Sequence, residues 1–189
     1  LVVMLLSSVL PVHAELSLKE VRTASNSVLV ACFQSDIIKA DEVDTSDVSQ
    51  WRINGQAAEA VHKFVAEANA CDHHIYLQGP TLVNGKQYTL QTPYGGTTFT
   101  FDDKKTFCES IKTNQNAYSA LSKVRYANFA IWLGNGGSQE IRGDLPTYTV
   151  FKVTTGEQLI RGTLKAIGGQ DESSGDFVYR IDLSAVPEG

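Results

Sequence analysis

The chain alternates between short apolar runs and turn-forming residues over most of its length. Residues 16–21 alternate apolar and polar positions, the period of two that marks a strand with one buried face. Residues 27–33 form a nearly continuous apolar run, as expected for a central strand. Asn54-Gly55 follows the strand-like residues 51–53 and is a strong hairpin signal. The pattern therefore predicts strands joined by tight turns.

Further strand-length runs follow the same pattern to the end of the chain. They lie at 75–77, 87–90, 97–101, 110–113, 124–133, 147–153, 159–160, 163–167 and 177–183. The Ala- and Glu-rich residues 57–70 leave a strand and a short helix both open. Short strands separated by turn signals predict an all-β protein built from β-sandwiches. We expect two consecutive immunoglobulin-like sandwiches, at 15–103 and 104–189, with the boundary near Asp103.

The two ends of the chain lead to two expectations. Residues 1–14 contain an apolar run, then Pro11 and an A-x-A-like site, which predicts a signal peptide cleaved after Ala14. The run is shorter than the ~20 residues of a membrane span, so we expect a secreted or periplasmic protein with no membrane span. At the other end, 177–183 enters a turn with no return strand after it. We therefore expect an incomplete second sandwich with an open edge there, in an N-terminal piece of a longer protein.

Composition narrows the range of partners. The 189 residues include 16 basic and 21 acidic side chains, a net charge of −5, without a dense Lys/Arg cluster. A nucleic-acid partner is not expected, because phosphate binding requires a basic face. The three cysteines, Cys32, Cys71 and Cys108, allow three pairings. A Cys32–Cys71 bridge and buried thiols both stay open for an exported protein.

Two segments carry residue types that bind metal ions. Cys71, His73 and His74 include zinc-ligand types, but adjacent strand residues point to opposite faces and cannot easily share one ion. We expect these histidines to be exposed or on an edge strand. The acidic loop 171–176 could offer oxygens to calcium, but it lacks the alternation of an EF-hand and reads better as a hairpin loop. No metal or cofactor site is assigned.

Four aromatic residues raise the question of a sugar-binding platform. They are Trp51, Trp132, Tyr94 and Tyr126. Trp132 lies in an apolar run and Trp51 begins a hairpin, so we expect both to be core residues. The chain shows neither a Gly-rich phosphate loop nor a G-x-S-x-G elbow, and no catalytic residue is assigned.

The second half of the chain resembles a known module. Residues 110–118 (SIKTNQNAY), followed by Lys123, are similar to the opening K-x-N-Q-x-G-Y…K of the cellulase N-terminal immunoglobulin-like domain of family-9 glycoside hydrolases. TYTV at 147–150, TGE at 155–157, GTL at 162–164, SGD at 174–176 and YRIDLS at 179–184 follow in the family's order. The resemblance covers about 107–189. It departs at Ala117, where the family has glycine.

The resemblance implies a supporting role. In that family the module precedes an (α/α)-barrel, packs against it and stabilises it, and the catalytic carboxylates belong to the barrel. We therefore expect a non-catalytic accessory region of a secreted endo-β-1,4-glucanase-like enzyme. Its partners would be its own downstream catalytic domain and, as a further candidate, β-glucan polysaccharide. The alternatives are a carbohydrate-binding sandwich module and a cell-surface adhesion or structural array.

Overall fold

A computed structural model describes residues 16–35, 43–68, 70–114, 116–119 and 121–187. The predicted signal peptide, residues 1–14, lies outside them. The described chain is all-β, as the sequence predicts, with antiparallel sheets and two single turns of 3₁₀ helix at Val48–Gln50 and Gly134–Gly136.

Eight strands form the first group. They are β1 (Ser17–Ser25), β2 (Val28–Ser35), β3 (Arg52–Ile53), β4 (Gln56–Ala57), β5 (Ala60–Ala68), β6 (Ala70–Gln78), β7 (Gln87–Thr92) and β8 (Gly95–Thr100). One sheet has the order β1-β2-β6-β5 and the other β4-β3-β7-β8. Their facing sides enclose the largest core, in which Phe33, Trp51, Ile75, Tyr88 and Leu90 are buried. This is a β-sandwich, in which the facing sides of two sheets form the core.

Local sequence explains the turns of this sandwich. Asn54 has φ +52° and Gly55 has φ +78°, both in the left-handed region that a type I′ hairpin requires. They join β3 to β4. Within residues 57–70, where the sequence allowed either a helix or a strand, the structure has the strand β5, which pairs with β6 along its length. Cross-strand pairing therefore outweighs the helix preference of its Ala and Glu residues.

Eight further strands form the second group. They are β9 (Ile111–Lys112), β10 (Tyr126–Phe129), β11 (Ile131–Trp132), β12 (Ser138–Gln139), β13 (Thr147–Phe151), β14 (Gln158–Thr163), β15 (Lys165–Gln170) and β16 (Phe177–Asp182). The sheet β15-β16-β10-β9 covers a core of Ala127, Leu164, Tyr179 and Ile181. The pairs β11-β12 and β13-β14 are separate two-stranded ladders. The single strand expected at 124–133 is divided at Ala130, whose N–H donates to Ser110 O.

The expected open edge at 177–183 is wrong. Strand β16 pairs with β15 on one side and with β10 on the other, through Arg180 to both Lys165 and Asn128. Both partners precede β16 in the chain, so its ladder is filled without a later return strand.

The second group of strands also contacts the first. Leu133, which follows β11, is fully buried against the outer face of the first sheet, beside Val28, Val30 and Cys32. Strand β2 is therefore covered on both faces, which accounts for its unbroken apolar sequence. The predicted boundary at Asp103 falls between β8 and β9. The segment after this boundary still pairs with the first group of strands, because Cys108 forms a parallel bridge with Thr23 of β1.

Candidate functional site: a cleft beside Glu109

The carboxylate of Glu109 connects the first sheet to the segment that leads into the second group of strands. Its backbone N–H donates to Thr23 O at 2.8 Å. Its Oε1 accepts a hydrogen bond from Arg22 Nη1 at 3.0 Å and lies 2.8 Å from His74 Nδ1. Its Oε2 accepts from Tyr76 Oη at 3.2 Å. Three side chains therefore hold one carboxylate in a fixed position.

The strand register explains why these side chains meet. Residues paired directly across neighbouring strands share one face of a sheet. Two adjacent rows cross the first sheet on its outer face: Glu20–Cys32–His74–Phe64 and Arg22–Val30–Tyr76–His62. The N–H of Glu109 donates to the carbonyl of Thr23, the residue that follows Arg22 on β1. The first sheet therefore places Arg22, His74 and Tyr76 on the face that the Glu109 carboxylate contacts.

Electrostatics keeps Glu109 ionised. Burial alone would raise the pKa of this carboxyl, but the hydrogen bond and charge of His74 and those of Arg22 outweigh it, so the pKa lies below its ordinary value. Burial, followed by the charge of Glu109, raises the pKa of Tyr76, which stays a neutral donor. Burial alone would lower the pKa of Arg22, but its hydrogen bonds to Glu20 and Glu109 outweigh this effect and raise the pKa. The cluster is a buried ion pair with a tyrosine donor.

The same cluster contains potential metal ligands. Cys32, His74 and Glu109 each offer one ligand atom, and these atoms lie within 4.8 Å of one another. Sulfur, imidazole and carboxylate are the ligand types of zinc. However, both oxygens of Glu109 already accept hydrogen bonds, and the Arg22 guanidinium would oppose a second cation. The arrangement fits an ion-pair network better than a metal centre.

A cleft of about 410 Å³ opens above this network. Its aromatic walls come from both groups of strands. Phe64 on β5 and Trp132 on β11 meet edge to face with ring centroids 4.8 Å apart. On the other side, Phe107 lies under the Arg22 guanidinium at 5.2 Å. Phe64, Trp132 and Phe107 are 38%, 37% and 59% exposed, so each ring shows part of its surface to the cleft or to solvent.

Polar groups line the rest of the cleft. Tyr76, His74 and Glu109 contribute to its lining, together with Lys112 on β9 and Asp176, which precedes β16. Asp176 Oδ1 is buried and has no hydrogen-bond partner among the described residues. A buried acceptor of this kind is costly unless a donor reaches it. The cleft therefore combines aromatic surface with unsatisfied hydrogen-bonding capacity.

The four aromatic residues considered for a sugar platform do not form one. Trp51 is fully buried, as expected, and packs against Phe33 and Tyr94 in the sandwich core. Tyr126 lies on the second group of strands under Arg180 Cζ, 4.0 Å from the ring centroid. The expectation that Trp132 is a core residue is wrong. Its position after the break at Ala130 places it at the cleft, and no hydrophobic pattern marks that break.

The histidines of β6 are also misplaced by the sequence pattern. His73 is fully buried and the side chain of His74 is only 12% exposed, because β6 is a central strand between β2 and β5. They do face opposite sides of the sheet, as expected. Glu109 is not recognisable as a site residue from the sequence, because it lies 35 positions from His74 and no local motif links the two.

The pairing of β2 with β6 also shows how far apart Cys32 and Cys71 lie along the sheet. Cys32 pairs with His74, whereas Cys71 pairs with Ser35, three positions further along β2. Three residues of strand span roughly 10 Å, which exceeds the Cα separation of about 4.4–6.8 Å that a disulfide bridges. The Cys32–Cys71 pairing is therefore disfavoured. Cys108 Sγ lies 3.8 Å from Ala24 O.

The acidic loop 171–176 is a hairpin loop between β15 and β16. Asp171 Oδ1 accepts hydrogen bonds from Ser173 N and from both N and Oγ of Ser174. Asp171 N donates to Asp176 O, which closes the loop. The best-placed carboxylate oxygen is thus occupied by the loop's own donors, as in an Asx turn.

Fold and site together define an all-β protein with stacked antiparallel sheets and a mixed aromatic and charged cleft. No family model, curated protein or solved structure matches the chain. Among the described residues, no helix has the length and apolar character needed to cross a membrane.

Proposed function

We propose that this chain is a non-catalytic accessory region of an exported enzyme that degrades β-glucan. It would pack against a catalytic (α/α)-barrel and stabilise it, as the resemblance of residues 107–189 to the family-9 immunoglobulin-like module implies. The all-β architecture supports this role. Export rests on the signal-peptide pattern at residues 1–14.

The observation that carries the proposal is the distribution of exposed apolar side chains. In the described chain, most of the large hydrophobic residues that face solvent lie beyond residue 106. Leu121 is 92% exposed, Val124 64% and Val153 99%. Single exposed apolar residues are ordinary, but this concentration falls in the half that carries the motif. A neighbouring domain would bury such side chains.

The motif segment has a structure of its own. Asn114 Nδ2 donates to Ala117 O at 2.9 Å, and Asn114 Oδ1 accepts from Asn116 N at 3.0 Å. Tyr118 Oη donates to Tyr126 O, which ties the segment to β10. Ala117 does not have a positive φ, so no strain accompanies alanine at the position where the family has glycine. These hydrogen bonds hold the motif segment against β10, in the half of the chain that carries the exposed Leu121 and Val124.

The test compares this chain alone with the longer natural polypeptide. Val153→Asp and Leu121→Asp should leave the melting temperature of the chain unchanged within about 2 °C, since both side chains are exposed. In the polypeptide that includes a barrel, each should lower the melting temperature of the barrel by several degrees. Thr154→Asp adds the same charge beside Val153 and is the control.

If neither aspartate affects the longer polypeptide more than Thr154→Asp does, packing through these residues is excluded. The coding sequence around this chain separates the remaining alternatives. A barrel-encoding region supports the accessory role, whereas further sandwich repeats support a cell-surface array.

A further inference from the structure

We propose that the cleft above Glu109 is a binding site for a neutral saccharide. This goes beyond the accessory role, because the chain would bind sugar itself, with or without an attached enzyme. The cleft lies where the two groups of strands meet, and its volume of about 410 Å³ is within the range of small-ligand sites.

The aromatic walls supply the apolar half of the site. A pyranose ring has faces of C–H groups and a rim of hydroxyls, so it is bound by aromatic surface beside polar groups. Trp132 and Phe64 meet edge to face at 4.8 Å, which fixes both rings while leaving over a third of each residue exposed. Trp132 is also held by Tyr76, with ring centroids 6.4 Å apart. Burying this exposed aromatic surface against C–H groups is favourable.

The polar groups indicate that the ligand carries no net charge. Arg22 and Lys112 contribute two positive charges and Glu109 and Asp176 two negative charges, while the Nδ1 of His74 is engaged by the Glu109 carboxylate at 2.8 Å. Arg22 and Glu109 already neutralise each other at 3.0 Å. A strongly charged ligand would therefore gain little from the cleft as a whole. Hydroxyl groups can donate to a carboxylate and accept from an ammonium group, so they suit both Asp176 and Lys112.

Asp176 gives the most specific indication. Asp176 lines the cleft, and its Oδ1 is buried and has no hydrogen-bond partner within the described segments. A ligand hydroxyl would supply the missing donor and remove that cost. The network around Glu109 holds the neighbouring His74 and Tyr76 side chains in place before a ligand arrives. Such preorganisation lowers the entropic cost of binding.

The experiment measures binding to this chain by isothermal titration calorimetry. Cellotetraose and xylotetraose are the neutral probes, and glucuronic acid and glucosamine are the charged comparisons. We expect saturable binding of at least one neutral probe at or below about 1 mM, and weaker binding of both charged sugars. Trp132→Ala should weaken that binding at least about tenfold. Asp176→Asn should weaken it about threefold to tenfold, because the amide is a poorer acceptor.

The control is Tyr126→Ala. Tyr126 is 38% exposed, close to the 37% of Trp132, but it lies outside the cleft. Its loss should change affinity less than about twofold. Trp132→Phe retains an aromatic face and should fall between wild type and Trp132→Ala. Far-ultraviolet circular dichroism and melting curves of each variant show whether the fold is intact.

The proposal is overturned if no neutral probe binds at about 10 mM, or if a charged sugar binds more tightly than both neutral ones. It is also overturned if Tyr126→Ala reduces affinity as much as Trp132→Ala. Failure here leaves the accessory role standing, because that role is measured as stability of the longer polypeptide and not as sugar affinity.

Discussion

Arg22 Nη1 donates a hydrogen bond to Glu109 Oε1 at 3.0 Å, across 87 positions of sequence. The guanidinium also binds Glu20 through Nε at 2.7 Å, which orients it along the outer face of β1. Glu109 has only 14% of its side chain exposed. The pair is therefore shielded from water and couples the first sandwich to the segment that begins the second group of strands.

Removing the Glu109 carboxylate should destabilise the protein more than the loss of so small a group would suggest. Glu109→Ala leaves Arg22, His74 and Tyr76 without their shared acceptor, which should lower the free energy of unfolding by about 1.5–3 kcal/mol. Glu157→Ala removes an exposed carboxylate from a turn and should stay within about 0.5 kcal/mol of wild type. Urea unfolding at neutral pH measures both. Equal effects of the two changes would mean that the network contributes nothing to stability.

The same network predicts loss of stability in acid. The pKa of Glu109 in the folded protein lies below its ordinary value of 4.5. A carboxyl with a lowered folded-state pKa stabilises the protein above its unfolded-state pKa, and this contribution is lost as pH falls through the lower folded-state value. The stability difference between wild type and Glu109→Gln should thus be largest near neutral pH and shrink below about pH 4.5.

Unfolding of wild type and Glu109→Gln in urea, from pH 7 to pH 3, tests this dependence. Taking the difference between the two proteins cancels the titration of groups that behave alike in both. A difference that stays constant down to pH 3 would show that Glu109 is not selectively ionised by its partners.

Much of the fold follows from local sequence. The unbroken apolar run of β2 predicts a central strand, and Asn54-Gly55 predicts the hairpin that its two positive φ angles form. What local pattern cannot provide is the pairing between distant strands. The partners of β16 are β10 and β15, and nothing within residues 177–183 identifies them. The expected open edge was wrong for that reason.

The candidate site was harder to predict than the fold. Trp132 lies in an apolar run that resembles a core strand, yet the interruption at Ala130 leaves it partly exposed beside Phe64. Glu109 looks like an ordinary linker residue until β1 and β6 bring Arg22 and His74 to it. Both features depend on contacts between segments far apart in the chain, which periodicity and motif spacing do not encode.

Leu133 should be the main apolar contact between the two groups of strands. It is fully buried against Val28, Val30 and Cys32 on the outer face of the first sheet. Leu133→Ala should lower the free energy of unfolding by about 2–5 kcal/mol, because it opens a cavity that the strands cannot close. Leu121→Ala, at a side chain 92% exposed, is the matched control and should change stability by about 0.5 kcal/mol or less. Chemical denaturation of both variants decides whether the contact between the two groups is structural.

Gly134 should be required for the close approach of the 3₁₀ turn to β5. Its φ is +61°, and a Cβ there would collide with Lys63 O and come within 3.0 Å of Phe64 Cβ. Asn135 Oδ1 accepts from Lys63 N at 2.9 Å and holds the turn against the strand.

The matched control is Gly156, which has a similar φ of +71°, but a Cβ there would meet nothing within 4 Å. Both Gly→Ala changes should cost about 1–2 kcal/mol for the left-handed backbone. Gly134→Ala should cost at least about 1 kcal/mol more, since the strand must also move away. It should further alter tryptophan fluorescence, because Phe64 packs on Trp132 beside this turn. Equal costs for the two substitutions, with unchanged fluorescence, would show that the turn does not pack closely on β5.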